Sequence, residues 1–189
     1  MSTARRPRIV TALTVGAVLS AMLALPASAA NTVTQTINAG TRTSSIADLT
    51  LGAVSYSHSA QSSTGTMVLT ADDSSGSGAG WNVTVLSSDF VYSGVNGGTD
   101  IPAASFSVTS ASGATSTAGE AVDATGGPKV PAAFSAPATL DSARKTLQAD
   151  ATFGEGTYTQ DLGVSLGIPA QSRVGTYTGT MTVTISAGP

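Results

Sequence analysis

Gly175-Thr176-Tyr177-Thr178-Gly179-Thr180-Met181-Thr182-Val183-Thr184-Ile185-Ser186 decides the fold class of this chain. From Thr176 to Ser186 a hydroxyl residue stands at every second position, and Tyr177, Gly179, Met181, Val183 and Ile185 fill the places between. A period of two is the signature of a half-buried β-strand, with one face toward a core and the other toward solvent. Threonine suits the outer face because its β-branched side chain favours an extended backbone. Gly175 and Gly188-Pro189 bracket the segment.

Working outward, Trp81-Asn82-Val83-Thr84-Val85 repeats the pattern, with Trp81, Val83 and Val85 on one face and Asn82 and Thr84 on the other. Thr66 to Ala71 reads as its hairpin partner across the Gly/Ser run Ser74 to Gly80, a connection longer than a tight hairpin needs. Further strands are expected at Thr32 to Ile37, Leu49 to Ser57, Ser105 to Thr109 and Tyr158 to Leu166, each bounded by Gly, Pro, Asp or Ser. Ser110 to Pro128 reads as a surface loop or irregular edge, and Thr139 to Gln148 as either short helical turns or another strand. No fixed-period repeat and no Pro-rich linker divides the chain. The expected fold is all-β, a single β-sandwich domain, with a β-barrel-like closure as the alternative.

Arg5, Arg6 and Arg8 precede an apolar stretch from Ile9 to Leu25, followed by Pro26 and the small residues Ala27-Ser28-Ala29. This is the layout of a cleavable signal peptide spanning residues 1–30, preferred to a membrane anchor because Thr11, Thr14, Gly16 and Ser20 dilute the stretch and a cleavage site follows. The domain proper is then 31–189, secreted, with no membrane insertion after cleavage. It keeps five basic residues (Arg42, Lys129, Arg144, Lys145, Arg173) against eleven acidic ones, a net charge of −6. So few scattered cations cannot make the basic stripe that nucleic acid requires. The chain has no Cys, so neither a disulfide nor a lipid-bearing thiol is available, and no LPxTG-type tail is present. Any attachment to the envelope is expected to come from the folded domain itself.

Catalytic machinery is not legible. His58 is the single histidine and sits at the polar end of an expected strand. No Ser occupies a G-x-S-x-G elbow, and no Lys-bearing phosphate loop occurs. Asp72, Asp73, Asp89 and Asp100 fall on expected loops or turns, where carboxylates are ordinarily solvated. Asp73-Ser74-Ser75-Gly76-Ser77-Gly78 begins like a calcium loop, but the twelfth position, where a bidentate Glu belongs, is Thr84. Asn82-Val83-Thr84 forms a glycosylation sequon inside an expected strand. The reading is therefore no enzyme, no cofactor and no metal.

Two segments, Gly80-Trp81-Asn82-Val83-Thr84-Val85 and Gly175 to Ile185, together resemble the WxL domain of Gram-positive surface proteins. Val83 stands at the Leu position of the first motif, and Val183 and Ile185 stand at the Trp and Leu positions of the second. These exchanges keep a β-strand face. The resemblance implies an exported β-rich domain attached non-covalently to cell wall peptidoglycan or to other surface proteins. It points to Trp81, Val83, Tyr177, Val183 and Ile185 as candidate ligand-binding residues. Trp81 has two readings: a core side chain packed with Val83 and Val85, or an exposed ring stacking on a sugar; Tyr177 shares the ambiguity. A separate expectation is a structural or adhesive subunit in which an uncharged edge strand such as Thr176 to Ser186 completes another chain's sheet.

Overall fold

The computed structural model describes residues 32–189, and the expected signal peptide at 1–30 lies outside them. The chain divides after Thr36, and Ile37–Pro189 forms the compact unit. In chain order its strands are β1 (Arg42–Ile46), β2 (Gln61–Asp73), β3 (Trp81–Ser87), β4 (Val91–Ser93), β5 (Phe106–Ala111), β6 (Thr115–Gly119), β7 (Ala138–Thr139), β8 (Arg144–Ala149), β9 (Gly156–Ile168), β10 (Thr176–Thr178) and β11 (Met181–Ala187). No α-helix occurs among the described residues; one 3-10 turn, Ala103–Ser105, leads into β5.

Two layers result. One sheet runs β1-β2-β9-β5-β7, with β6 also pairing β9, and the other runs β11-β3-β8. Every pairing is antiparallel. The long strands β2 and β9 pair from Gln61↔Ile168 to Asp72↔Thr157 and form the spine of the first layer. Their inward residues Met67, Leu69, Ala71, Tyr158, Leu162, Val164 and Leu166 meet Trp81, Val83, Val85, Leu147 and Ala149 from the second layer in one apolar core. Neither sheet closes on itself, so the fold is a β-sandwich and the barrel-like alternative does not hold.

The hairpin expected between Thr66–Ala71 and Trp81–Val85 is not formed: β2 pairs with β1 and β9, whereas β3 pairs with β11 and β8. Ser74–Gly80 instead carries the chain from one layer to the other. Gly76, Gly78 and Gly80 all adopt positive φ, and a Cβ at Gly80 would lie 2.5 Å from the Ala149 carbonyl oxygen. Both strands bury their odd-numbered residues, so each needs an opposing layer rather than the other as a neighbour.

Other segments refine or depart from expectation. Thr32–Ile37 has the right alternation but forms no strand and is exposed throughout. Leu49–Ser57 is likewise outside any ladder; side chains tie it to β2, Ser63 Oγ donating to the Gly52 carbonyl (2.9 Å) and Gln61 Nε2 to that of Ser55 (3.1 Å). Ser110–Pro128, read as a surface loop or an irregular edge, contains β6, which pairs β9 with a register shift between Ser116 and Ala118, and Thr139–Gln148, read as helical turns or a strand, is the end of β7 and most of β8. The eleven-residue C-terminal strand divides into β10 and β11, which pair with β4 and β3 respectively; at Gly179, between them, a Cβ would lie 3.1 Å from the Phe90 ring.

Candidate functional site

Residues some hundred positions apart in sequence become neighbours here. Strand β11 lies directly against β3, with Val183↔Val85, Ile185↔Val83 and Ala187↔Trp81 in register. Trp81 is 0% exposed, its Nε1 donates to the Gly154 carbonyl at 2.8 Å, and its ring centroid is 6.0 Å from that of Tyr158. Gly154 has φ +81°, and a Cβ there would come within 2.8 Å of the Trp81 indole nitrogen, so only glycine leaves room for this contact. Val83 is also fully buried. Val183 and Ile185 are half-buried on the same inner face. Four of the five expected site residues are thus brought together, and they point into the sandwich. A ring without exposed surface has no face to offer a sugar.

Tyr177 is placed elsewhere. It lies on β10, half-buried, with its ring 5.3 Å from Tyr92 and its hydroxyl donating to the Arg173 carbonyl at 2.9 Å. Tyr92 is in turn enclosed by Gly94, Gly98 and Gly175, each of which would strike it with a Cβ closer than 3.0 Å.

The other face of the motif strands carries the residues that sequence reading treated as spacers. Asn82, Thr84 and Leu86 of β3 stand opposite Ser186, Thr184 and Thr182 of β11, and Gln148 and Lys145 of β8 stand opposite Asn82 and Thr84. Thr182, Thr184 and Ser186 are exposed, and Asn82, Thr84, Lys145 and Gln148 are partly so. Strand spacing sets hydroxyl and amide groups about 4.8 Å apart across the sheet and roughly 6.8 Å apart along it. No carboxylate interrupts these rows. Asn82 Nδ2 donates to the Gly188 carbonyl at 2.7 Å and ties down the end of β11. The available signal was the alternation itself, since a strand that buries Trp81, Val83 and Val85 must present Asn82 and Thr84 outward.

A groove opens at the edge of the sandwich between the unpaired segment Leu49–Ser57 and the stretch Ser172–Gly179. Its volume is about 610 Å³, and Leu49, Leu51, Phe90, Thr178 and Gly179 also line an adjoining hollow of about 400 Å³. Leu49, Leu51, Phe90, Ile101, Leu166 and Ile168 make an apolar lining, and Arg173 is its one charged residue. Tyr56, 48% exposed, stands on one wall with its ring 5.3 Å from His58, and Tyr177 stands on the other.

The carboxylates serve the scaffold. Asp73 is buried and paired with Arg42 at 3.0 Å, and it accepts the Ser75 amide. Asp72 accepts the hydroxyls of Thr157 (2.6 Å) and Ser74 (2.8 Å). Backbone amides of Gly126 and Thr125 hold the Asp123 carboxyl below its usual range. No group of three or more His, Cys, Asp or Glu converges among the described residues. Burial, reinforced by the nearby charges of Glu120, Asp73 and Glu155, pushes the Tyr158 phenol up to about 12. Its hydroxyl donates to the Glu120 carbonyl at 2.8 Å.

A family model described as the WxL domain, surface cell wall-binding, matches residues 25–189. The chain belongs to the WxL family. No curated protein and no solved structure matches it. Of the two WxL motif segments, Trp81–Val85 and the Met181–Ile185 part of the second are neighbouring strands of one layer, whereas Thr176–Thr178 pairs with β4. Membership makes this WxL chain a cell-surface, wall-binding domain of an all-β type. No helix among the described residues is long and apolar enough to cross a membrane.

Proposed function

We propose that this WxL domain is exported by its N-terminal signal, residues 1–30, and that residues 31–189 attach non-covalently to cell wall peptidoglycan through the outer face of the β11-β3-β8 sheet. One observation carries this reading: the motif strands pair in register so that their apolar residues are inside and their Thr, Ser and Asn residues form ordered rows outside. A flat, regular array of hydroxyl and amide groups offers repeated hydrogen bonds to a repeating polymer rich in the same groups. Each bond is weak in water, about 0.5–1.5 kcal/mol net, so adhesion depends on many being made at once. In this reading Trp81, Val83, Val183 and Ile185 act by keeping the face flat, and Tyr177 is the one residue of the expected set with surface beside the groove. The role is binding, not catalysis.

Cosedimentation with purified cell walls tests it. The double variant Thr182→Ala/Thr184→Ala is expected to lose about tenfold in wall affinity, equivalent to ~1.4 kcal/mol, while keeping its thermal midpoint. Unchanged wall binding by this variant would remove the outer face from the mechanism.

A further inference from the structure

The groove at the sandwich edge differs in character from the hydroxyl rows of the outer face. Val54, 44% exposed, stands with Tyr56 on one wall, and Val174, 66% exposed, stands with Tyr177 on the other, around the apolar lining. Apolar side chains gathered around a concave surface mark a ligand site. The wall carbonyls of Gly52, Ser55, Ser57, Arg173 and Val174 already accept hydrogen bonds from within the domain. Recognition therefore falls to side chains. Arg173 is the one charged residue of the groove, and Asp48 is the one charged residue of the adjoining hollow. Both are exposed, and neither enters the ion pairs found among the described residues, Arg42–Asp73 and Lys129–Asp150. A cation in one compartment and an anion in the next, joined by shared apolar residues, match a ligand that carries a carboxylate and an amine on a small apolar body. A neutral sugar uses neither charge and leaves its hydroxyls unmatched on the lining. A fatty acyl chain uses only one of the two.

We propose that the groove takes the peptide branches of the wall polymer, with a free alanine carboxylate meeting Arg173 and an ammonium-bearing side chain meeting Asp48. This rests on the wall-binding reading and divides the polymer between two surfaces, its sugars on the outer face and its peptides in the groove. The two surfaces are close along the chain. Gly179 lines the groove, and Thr182 stands on the outer face three residues later, at most about 11 Å away. About three extended peptide residues cover that span. A glycan lying against Thr182 and Thr184 therefore has the groove within reach of its own branches, and the two contacts reinforce each other because the second is made from a tethered ligand.

Fluorescence anisotropy of the peptide L-Ala-γ-D-Glu-L-Lys-D-Ala-D-Ala, labelled at its amino end, with the exported protein tests it. Saturable binding is expected, weakened at least about tenfold by Arg173→Gln and by Asp48→Asn. Thermal midpoints should not move, because both side chains are exposed and outside the ion pairs. Amidation of the peptide's terminal carboxylate should lower its affinity for the native protein about as much as Arg173→Gln does, and should cost nothing further in that variant. Absence of saturable binding, undiminished binding by either variant, or equal affinity for the amidated peptide each overturns the proposal. Displacement of the peptide by laurate or by a peptide-free N-acetylglucosamine oligomer also overturns it, by giving the groove to an acyl chain or to a sugar. The Thr182→Ala/Thr184→Ala variant is expected to bind the peptide as the native protein does while losing cosedimentation with walls, so failure of the groove and failure of the outer face are distinguishable.

Discussion

Strands β3 and β11 have the same length, the same alternation and a shared border, yet they carry different burdens. The inward residues of β3, Trp81, Val83 and Val85, are fully buried, whereas Met181, Val183 and Ile185 of β11 are only half-buried. The cause is position. Strand β3 is flanked by β11 on one side and β8 on the other, whereas β11 has a ladder partner on one side alone. Burial is thus assigned by neighbours and not by composition, and a strand's apolar pattern states which face turns inward without stating how far.

The sharpest way to break this comparison is at Trp81. Replacement by Ala empties the centre of the core and leaves the Gly154 carbonyl without its indole donor. It is expected to lower stability by about 3–5 kcal/mol in urea unfolding. A loss below about 1 kcal/mol would mean that the ring is not the keystone of the sandwich.

Val83 and Val183 allow the comparison with chemistry held constant, since the same side chain is cut in the same way on each strand. Val83→Ala is expected to cost roughly 2–3 kcal/mol, the scale of fully burying a valine, and Val183→Ala under about 1 kcal/mol. Equal losses would show that β11 is buried as deeply as β3, for instance by a partner on its free edge.

A smaller effect comes from Tyr158, which packs against Trp81 from the opposite layer. Its folded phenol ionises near 12 against an ordinary value of 10.0. The neutral form is favoured by folding, so the stabilisation is fully present below about pH 10 and is lost as pH rises from 10 toward 12. Tyr158→Phe should remove this part of the alkaline decline and cost about 1 kcal/mol at neutral pH for the bond to the Glu120 carbonyl. Denaturant unfolding of both proteins from pH 8 to 12 checks it, the difference cancelling the titration of lysines.

On the outer face the stability effect should be least. Thr182→Ala/Thr184→Ala is expected to change unfolding free energy by less than about 0.5 kcal/mol, as surface substitutions usually do. A large loss would place these residues in the scaffold and not at a surface free for binding.

Much of the architecture was legible because alternation is a local property. The strands expected at Trp81–Val85, Tyr158–Leu166 and Ser105–Thr109 exist, and the one expected over Thr176–Ser186 exists as β10 and β11, since each alternates larger inward residues with mostly small polar outward ones. Legibility failed where partners decide. Thr32–Ile37 has a strand's sequence but forms no strand, and Leu49–Ser57 lies beside β2 held mainly by side chains. The break at Gly179 lies where the pairing partner changes from β4 to β3, two strands distant in sequence. Of the expected site residues, Trp81 and Val83 are fully buried and Tyr177, Val183 and Ile185 half-buried, a depth that alternation does not record.

Taken alone, the sequence determined the β class, the inward and outward faces of each motif strand, the low charge and the lack of any thiol chemistry, because each is written in neighbouring residues or in counts. Tertiary structure decided that the two motif strands are adjacent, that the Gly/Ser run crosses between layers, that Trp81 is sealed and that a groove is left open at the sandwich edge. The physical reason is that strands do not satisfy their own backbones. Which strand meets which is settled only when non-local hydrogen bonds and core packing are made together.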